Sequence, residues 1–197
     1  MSNPRNVALL VFDDIEILDF AGPYEVFNVA SETTRPACFY VYNVGLSLRP
    51  VIGRGRFTVA PQYSIDNCPQ ADILVIPGGF GTRPLMKHEG LIAWVRDQST
   101  KVEWLLSVCT GALLLARAGL LADARATTHH TAYKELKAIS PSTTVVEGER
   151  FVQVSPSIMT AGGISAGIDL SLHMVEKLAG RQSRAATEEE MEYGSSR

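Results

Sequence analysis

The chain has 197 residues, 46% of them hydrophobic and 20% charged, with a formal net charge of −3. That is ordinary globular composition, with enough chain for one sizeable core. A mildly acidic balance without a basic stripe argues against nucleic acid as a partner. No apolar run is long enough to cross a membrane as a helix.

The polar N-terminal residues lead straight into an apolar run, without the layout of a signal peptide. The chain is therefore expected in the cytoplasm, as a single domain over 1–197 with its core from about 6 to 193. Asn6–Phe12 is continuously apolar and predicts a strand buried on both faces. An acidic loop, Asp13 to Asp19, follows. Gly22-Pro23 then predicts a helix start, because proline costs nothing where its N–H would have no partner. That helix runs to about Ala30. Ala37–Val44 is rich in β-formers, and Leu48–Ile52 and Arg56–Ala60 predict short strands around a Gly53/Gly55 turn.

Ala71–Ile76 predicts another buried strand, ending in the turn Pro77-Gly78-Gly79-Phe80-Gly81. His88–Gln98 has helical spacing of Leu91, Ile92 and Val95. Val102–Val108 predicts a strand and Thr110–Ala118 a helix, with Gly119 as its cap. Arg125–Thr128 reads as a short strand before His129-His130, and Thr131–Ala138 as a helix. Thr144–Glu147, Arg150–Val154 and Ser157–Ala161 are strand candidates. Ala166–Leu178 predicts an amphipathic helix, and Ala185–Tyr193 a final charged helix before a frayed tail. Strands alternating with helices imply an α/β fold: a doubly wound, mostly parallel sheet covered on both faces. In such folds sites gather beyond the carboxyl ends of the strands.

By that rule the cysteine to examine is Cys109. The apolar run Trp104 to Val108 stops at it, and Thr110-Gly111 opens a helix at once. This is the layout of a nucleophile elbow. The helix N-terminus is expected to stabilise a thiolate there. The alternative is a small buried hydrophobe. Asp19, between the apolar anchors Leu18 and Phe20, is either an N-cap or solvated loop acid, or a carboxyl whose raised pKa suits proton transfer near neutral pH. Glu25 reads as solvent-facing. The glycine turn is either only a tight turn or the source of a backbone N–H, from Gly79 or Phe80, aimed at charge developing on a substrate. One of His129 and His130 is expected to face the Cys109 crevice. His88 and His173 read as structural, Cys38 as a core residue in a strand, and Cys68 as a loop thiol before Pro69. Three scattered cysteines without a C-x-x-C pair predict free thiols. Neither a metal site nor a cofactor is expected.

Five segments together resemble the ThiJ/PfpI superfamily, whose fold is class I glutamine amidotransferase-like (flavodoxin-like). They are Leu18-Asp19-Phe20-Ala21-Gly22-Pro23, Ile76-Pro77-Gly78-Gly79-Phe80-Gly81, Ser107-Val108-Cys109-Thr110-Gly111, Ala126-Thr127-Thr128-His129 and Gly163-Ile164-Ser165-Ala166-Gly167-Ile168-Asp169. The resemblance is greatest to its isocyanide (isonitrile) hydratase branch. It implies a lyase-type enzyme in which Cys109 attacks an isocyanide carbon to form a thioimidate, and Asp19 moves the protons. It also implies that Gly79 is a backbone donor, that Thr110 follows the nucleophile, and that Ile164 packs beside the cysteine. A small-molecule substrate and a homodimer with the site near the subunit interface are further implications. Thr110 stands where peptidase-type members have His, which argues against a peptidase. His130 stands where the hydratases have Trp, which implies a more polar pocket. The same motif set occurs in the sensor domains of AraC-type regulators; no helix-turn-helix is expected here. The remaining alternatives are a glyoxalase-type enzyme, and a redox-sensing, chaperone-like or ligand-sensing domain without catalysis.

Overall fold

The computed structural model describes residues 3–194. The chain begins with strand β1 (Arg5–Leu10) and helix α1 (Ile17–Thr33). Strand β2 (Phe39–Gly45) leads to a small hairpin, β3 (Val51–Ile52) and β4 (Thr58–Val59), and to β5 (Tyr63–Ser64). Then come β6 (Ile73–Ile76), the short helix α2 (Thr82–Leu85), α3 (Glu89–Ser99), β7 (Trp104–Val108) and α4 (Gly111–Arg117). The rest is β8 (Arg125–Ala126), α5 (Tyr133–Ile139), β9 (Thr144–Val145), β10 (Phe151–Ser155), β11 (Ile158–Ala161), α6 (Ala166–Ala179) and α7 (Arg181–Glu190).

Seven strands form the main sheet in the order β10-β11-β7-β6-β1-β2-β5. All neighbours are parallel except β10 and β11. Strands β6 and β7 are buried at every residue, as continuous apolar runs in a parallel sheet must be. Strand β10 lies at the edge and mixes buried with exposed positions. Helices α1, α6 and α7 pack together as one layer, and α2, α3, α5 pack around α4 as the other. The architecture is the doubly wound α/β fold that the alternation predicts. Among the described residues no helix is long and apolar enough to cross a membrane.

Register carries the strand ends to one level. Val75 pairs with Leu106 and Ile76 with Ser107, while Val108 pairs with Ala161. Cys109 therefore emerges beside the ends of both β6 and β11. The sheet's order reverses at β1, which has β2 on one side and β6 on the other, the crevice position expected of such sheets.

Several sequence expectations are corrected. Helix α1 begins at Ile17, not at Gly22-Pro23, so Pro23 lies inside it. Proline there removes the N–H that would meet the Asp19 carbonyl, and tertiary packing of the first turn overrides this loss. Asp19 thus belongs to a helical turn rather than a loop. Strands β8 and β9 pair only with each other, in a separate two-stranded sheet. The last helix starts four residues earlier than its charge pattern suggests and leaves Tyr193 outside it. The end of the expected tail, 195–197, lies outside the described residues. Cys38 precedes β2 and is half-buried.

Leu106, 1% exposed at the middle of β7, tests this core. Leu106→Ala is expected to cost about 2–5 kcal/mol. A urea unfolding curve should show a lower midpoint with an unchanged slope.

Candidate active site

Cys109 follows β7 with φ +57, a left-handed conformation that non-glycine residues hold only where the surroundings enforce it. Here they do. Its N–H donates to the carbonyls of Ala161 (3.1 Å) and Gly162 (2.9 Å). Its carbonyl accepts the Thr128 hydroxyl at 2.7 Å. The helix that follows lies hard against β6: a Cβ on Gly111 would stand 2.0 Å from the Ile76 carbonyl oxygen. Only glycine permits this approach, as the elbow pattern requires.

Asp19, in the first turn of α1, has no exposed surface. Its Oδ2 accepts the Gly78 N–H at 3.1 Å, and its Oδ1 has no hydrogen-bond partner among the described residues. Burial pushes its pKa up to about 7. Interaction with the Cys109 thiol and the Gly78 N–H pull it down, and the Glu16 charge adds to the rise. Gly78 is wedged between Thr110 and Asp19. A Cβ there would stand 2.5 Å from the Thr110 nitrogen and 2.8 Å from Asp19 Oδ2.

The Cys109 thiol is pushed up to about 12, first by burial and then by the Asp19 carboxylate. The backbone N–H groups of Thr110 and Ile164 act the other way. The thiolate stabilisation expected of the helix N-terminus is present in the Thr110 N–H but is outweighed by burial. Helix α4 is only seven residues long, and its weak dipole is outweighed by desolvation. Thiol and carboxyl form a coupled pair. Near neutral pH they hold between one and two protons.

The glycine turn also differs from expectation. The Gly79 N–H is taken by the Thr110 hydroxyl at 2.9 Å. That hydroxyl lies 3.1 Å from the Gly79 carbonyl, which also accepts from Thr82 Oγ1 at 2.8 Å and from Arg83 at 3.2 Å. Gly79 thus clasps the elbow rather than presenting its N–H to a substrate. Phe80, which is 72% exposed, also lines the cavity.

A cavity of about 110 Å³ opens over the sulfur, lined by Cys109, Thr110, Gly79, Phe80, His129 and Ile164. His129, not His130, faces it. The His129 Nδ1 is 2.8 Å from the Thr131 hydroxyl. Burial, reinforced by His130, holds the His129 pKa below the ordinary imidazole value, so its ring is neutral at pH 7. Ile164 holds φ +47.

Sequence reasoning missed the charged wall. Glu16 and Arg54 form an ion pair at 2.5 Å, and Arg83 pairs with Glu135 at 2.7 Å; Glu16, Arg54 and Arg83 line the cavity. Arg54 comes from the β3–β4 turn and is anchored by its N–H to the Ile15 carbonyl at 2.9 Å. The Gly53/Gly55 turn signalled a hairpin, but not where it folds back. Glu25 is exposed, and His88 caps α3 by accepting the Leu91 N–H at 3.0 Å. His173 packs against Phe151 at 5.0 Å. Cys68 is half-buried, with its pKa raised by burial. Among the described residues no three His, Cys, Asp or Glu side chains are grouped to hold a metal ion.

Three comparisons bear on this geometry. The model of the DJ-1/PfpI family matches residues 5–177. The chain is 33% identical over 187 residues to an isonitrile hydratase of Pseudomonas putida, covering 95% of this chain and 78% of that one. It is 25% identical over 191 residues to the HTH-type transcriptional regulator GbdR of Pseudomonas aeruginosa, covering 97% of this chain but about half, 51%, of the regulator. Among solved structures, a ThiJ/PfpI family protein from Pseudomonas syringae superposes with a TM-score of 0.87 at 26% identity, covering 99% of this chain and 77% of that one. The class I glutamine amidotransferase-like fold follows from that likeness.

The buried carboxyl has a consequence for stability. Folded Asp19 keeps its proton up to about pH 7, whereas its ordinary value is 3.8. Between those values the folded state holds the extra proton. The residue's contribution to stability is therefore fully present below about pH 4 and declines as pH rises to about 7. Urea unfolding at about pH 4.5 and about pH 7.5 should show Asp19→Asn gaining on the parent by a few kcal/mol at the higher pH, as order-of-magnitude linkage requires.

Proposed function

The chain belongs to the DJ-1/PfpI family, and from that premise we propose that it is a cysteine-dependent hydratase acting on small carbon electrophiles, isocyanides foremost. The observation that carries this reading is the pairing of the elbow thiol, Cys109, with a fully buried carboxyl whose pKa lies near 7. Such a carboxyl is half-ionised where the reaction would run, so it can both take and give a proton. The likeness to an isonitrile hydratase supports the same choice.

The chemistry follows from that pair. Asp19 takes the thiol proton as the sulfur attacks the terminal carbon of R–N≡C. It then delivers that proton to the same carbon, giving the thioimidate R–N=CH–S–Cys109. Water adds across the C=N bond, placing its hydroxyl on carbon and a proton on nitrogen. The C–S bond breaks as the hydroxyl proton passes through Asp19 back to sulfur, and R–NH–CHO leaves. The sum is one isocyanide and one water to one formamide, with no external oxidant or reductant. The thiol's high pKa fits this scheme: nucleophile and acid are generated together, in a site where desolvation would oppose a standing thiolate. The N–H groups of Thr110 and Ile164 are placed to hold the transient charge on sulfur. Glu16, Arg54 and Arg83 give the cavity wall a polar character that favours substrates with hydrogen-bonding substituents.

A second reading has its own support. The likeness to the regulator GbdR extends over nearly the whole chain, so the cavity is also suited to sensing a ligand without turnover.

The two readings separate in one assay. Purified protein given p-nitrophenyl isocyanide, or a small alkyl isocyanide, is expected to yield the formamide. Cys109→Ala should abolish the reaction, and Asp19→Asn should lower kcat by about a hundredfold or more. Absence of formamide from the parent protein, together with a ligand-induced rise in Tm, would favour sensing.

A further inference from the structure

The loop between β11 and α6 carries the cavity residue Ile164 in a conformation that a β-branched side chain rarely adopts. Something outside the cavity must hold it, and one residue does so from both sides. The Arg150 carbonyl accepts the Gly162 N–H at 2.9 Å. The Arg150 guanidinium donates to the Ser165 hydroxyl at 3.2 Å. Gly162 and Ser165 flank the Gly163–Ile164 dipeptide, so Arg150 brackets it. The guanidinium is itself aimed by Asp169, whose Oδ2 accepts from Arg150 Nε at 2.6 Å and also from the terminal Nη2 nitrogen. The other carboxylate oxygen of Asp169 accepts the Tyr193 hydroxyl at 2.7 Å.

The bracketed loop meets the nucleophile twice. The Gly162 carbonyl accepts the Cys109 N–H at 2.9 Å, and Ile164 lines the cavity over the sulfur. We propose that Arg150 and Asp169, secured by Tyr193, are positioning residues for Cys109: they hold the 162–165 loop so that the Ile164 N–H faces the thiol. None of the three lines the cavity, so they act only through that loop. The proposal rests on reading Cys109 as the nucleophile, but not on its substrate.

The groups that bear on the sulfur charge in the parent protein are Asp19 from α1 and the N–H groups of Thr110 and Ile164, and the titratable and charged residues that share its cavity are Asp14, Glu16, Arg54, Arg83 and His129. Releasing Ile164 removes one favourable group and leaves the rest. The thiol should then ionise less readily. A loop that is merely loosened would do the opposite, exposing the buried sulfur and speeding its modification.

Alkylation by iodoacetamide, followed on the Cys109 peptide by mass spectrometry, reads this directly. Arg150→Met and Asp169→Asn are expected to slow alkylation by about tenfold from about pH 7 to about pH 9, where rate follows the thiolate fraction and tenfold corresponds to a shift of about one unit. Tyr193→Phe should slow it less, in the same direction. Arg181→Met, which removes an exposed arginine paired with Glu176 away from the loop, should match the parent. Rates that equal or exceed the parent's in Arg150→Met and Asp169→Asn would overturn the proposal, as would equal slowing in Arg181→Met. If Arg150→Met does not fold, Tyr193→Phe decides, since it removes a single hydroxyl; a parental rate there overturns the proposal. Alkylation needs no substrate, so a failure to hydrate isocyanides would leave this result unaffected.

Discussion

A carboxyl with no exposed surface is an expensive group to keep, and the site is arranged around the one on Asp19. Water is excluded from it, one oxygen takes a single backbone N–H, and its neighbour is a thiol that burial also keeps protonated. The thiol eases ionisation of the carboxyl by hydrogen bonding to it, while the carboxylate makes ionisation of the thiol harder, so the pair favours holding a shared proton over two separate charges. The turn at Gly78 fits between the carboxyl and Thr110, the residue after the thiol, with no space for a side chain. The elbow at Cys109, the first turn of α1 and the glycine turn are thus three parts of one packing solution.

Much of this was legible from residues alone. The buried strands β6 and β7 announce themselves as continuous apolar runs, and the stop at Cys109 followed by Thr110-Gly111 marks the elbow. Asp19 was readable as a carboxyl in apolar surroundings, although of the two neighbours expected to be buried only Phe20 is, Leu18 being 39% exposed. Its helix was not, because Pro23 is a strong local signal for a helix start and only packing of the first turn overrides it. The engagement of the Gly79 N–H by Thr110 was also hidden. It depends on which way one hydroxyl turns once two distant loops meet. Arg54 and Arg83 were hidden for a related reason: ordinary charged residues become cavity residues only through the path of the chain around them. The thiol was misjudged on magnitude, since the end of a seven-residue helix is weaker than burial beside a carboxylate.

Relatives of different description, an isonitrile hydratase and a much longer transcription regulator, match this chain over nearly its whole length. The fold supplies strand ends at one level; the chemistry is set by side chains on the loops above them. In this chain those loops make the cavity small and its rim charged, with a neutral histidine opposite the thiol.

The β3–β4 hairpin lies apart from the main sheet, yet its turn supplies Arg54 to the cavity wall. Its attachment runs through a few bonds to the segment after β1: Ile52 N–H to Asp13, Asp14 N–H to Ile52, and Arg54 N–H to Ile15. Beneath those bonds Val51 and Val59 are buried in the hydrophobic core, so packing as well as hydrogen bonding fixes the hairpin. The position of Arg54, and with it the charge at the cavity rim, is therefore coupled to the packing of two valines on the strands that carry it.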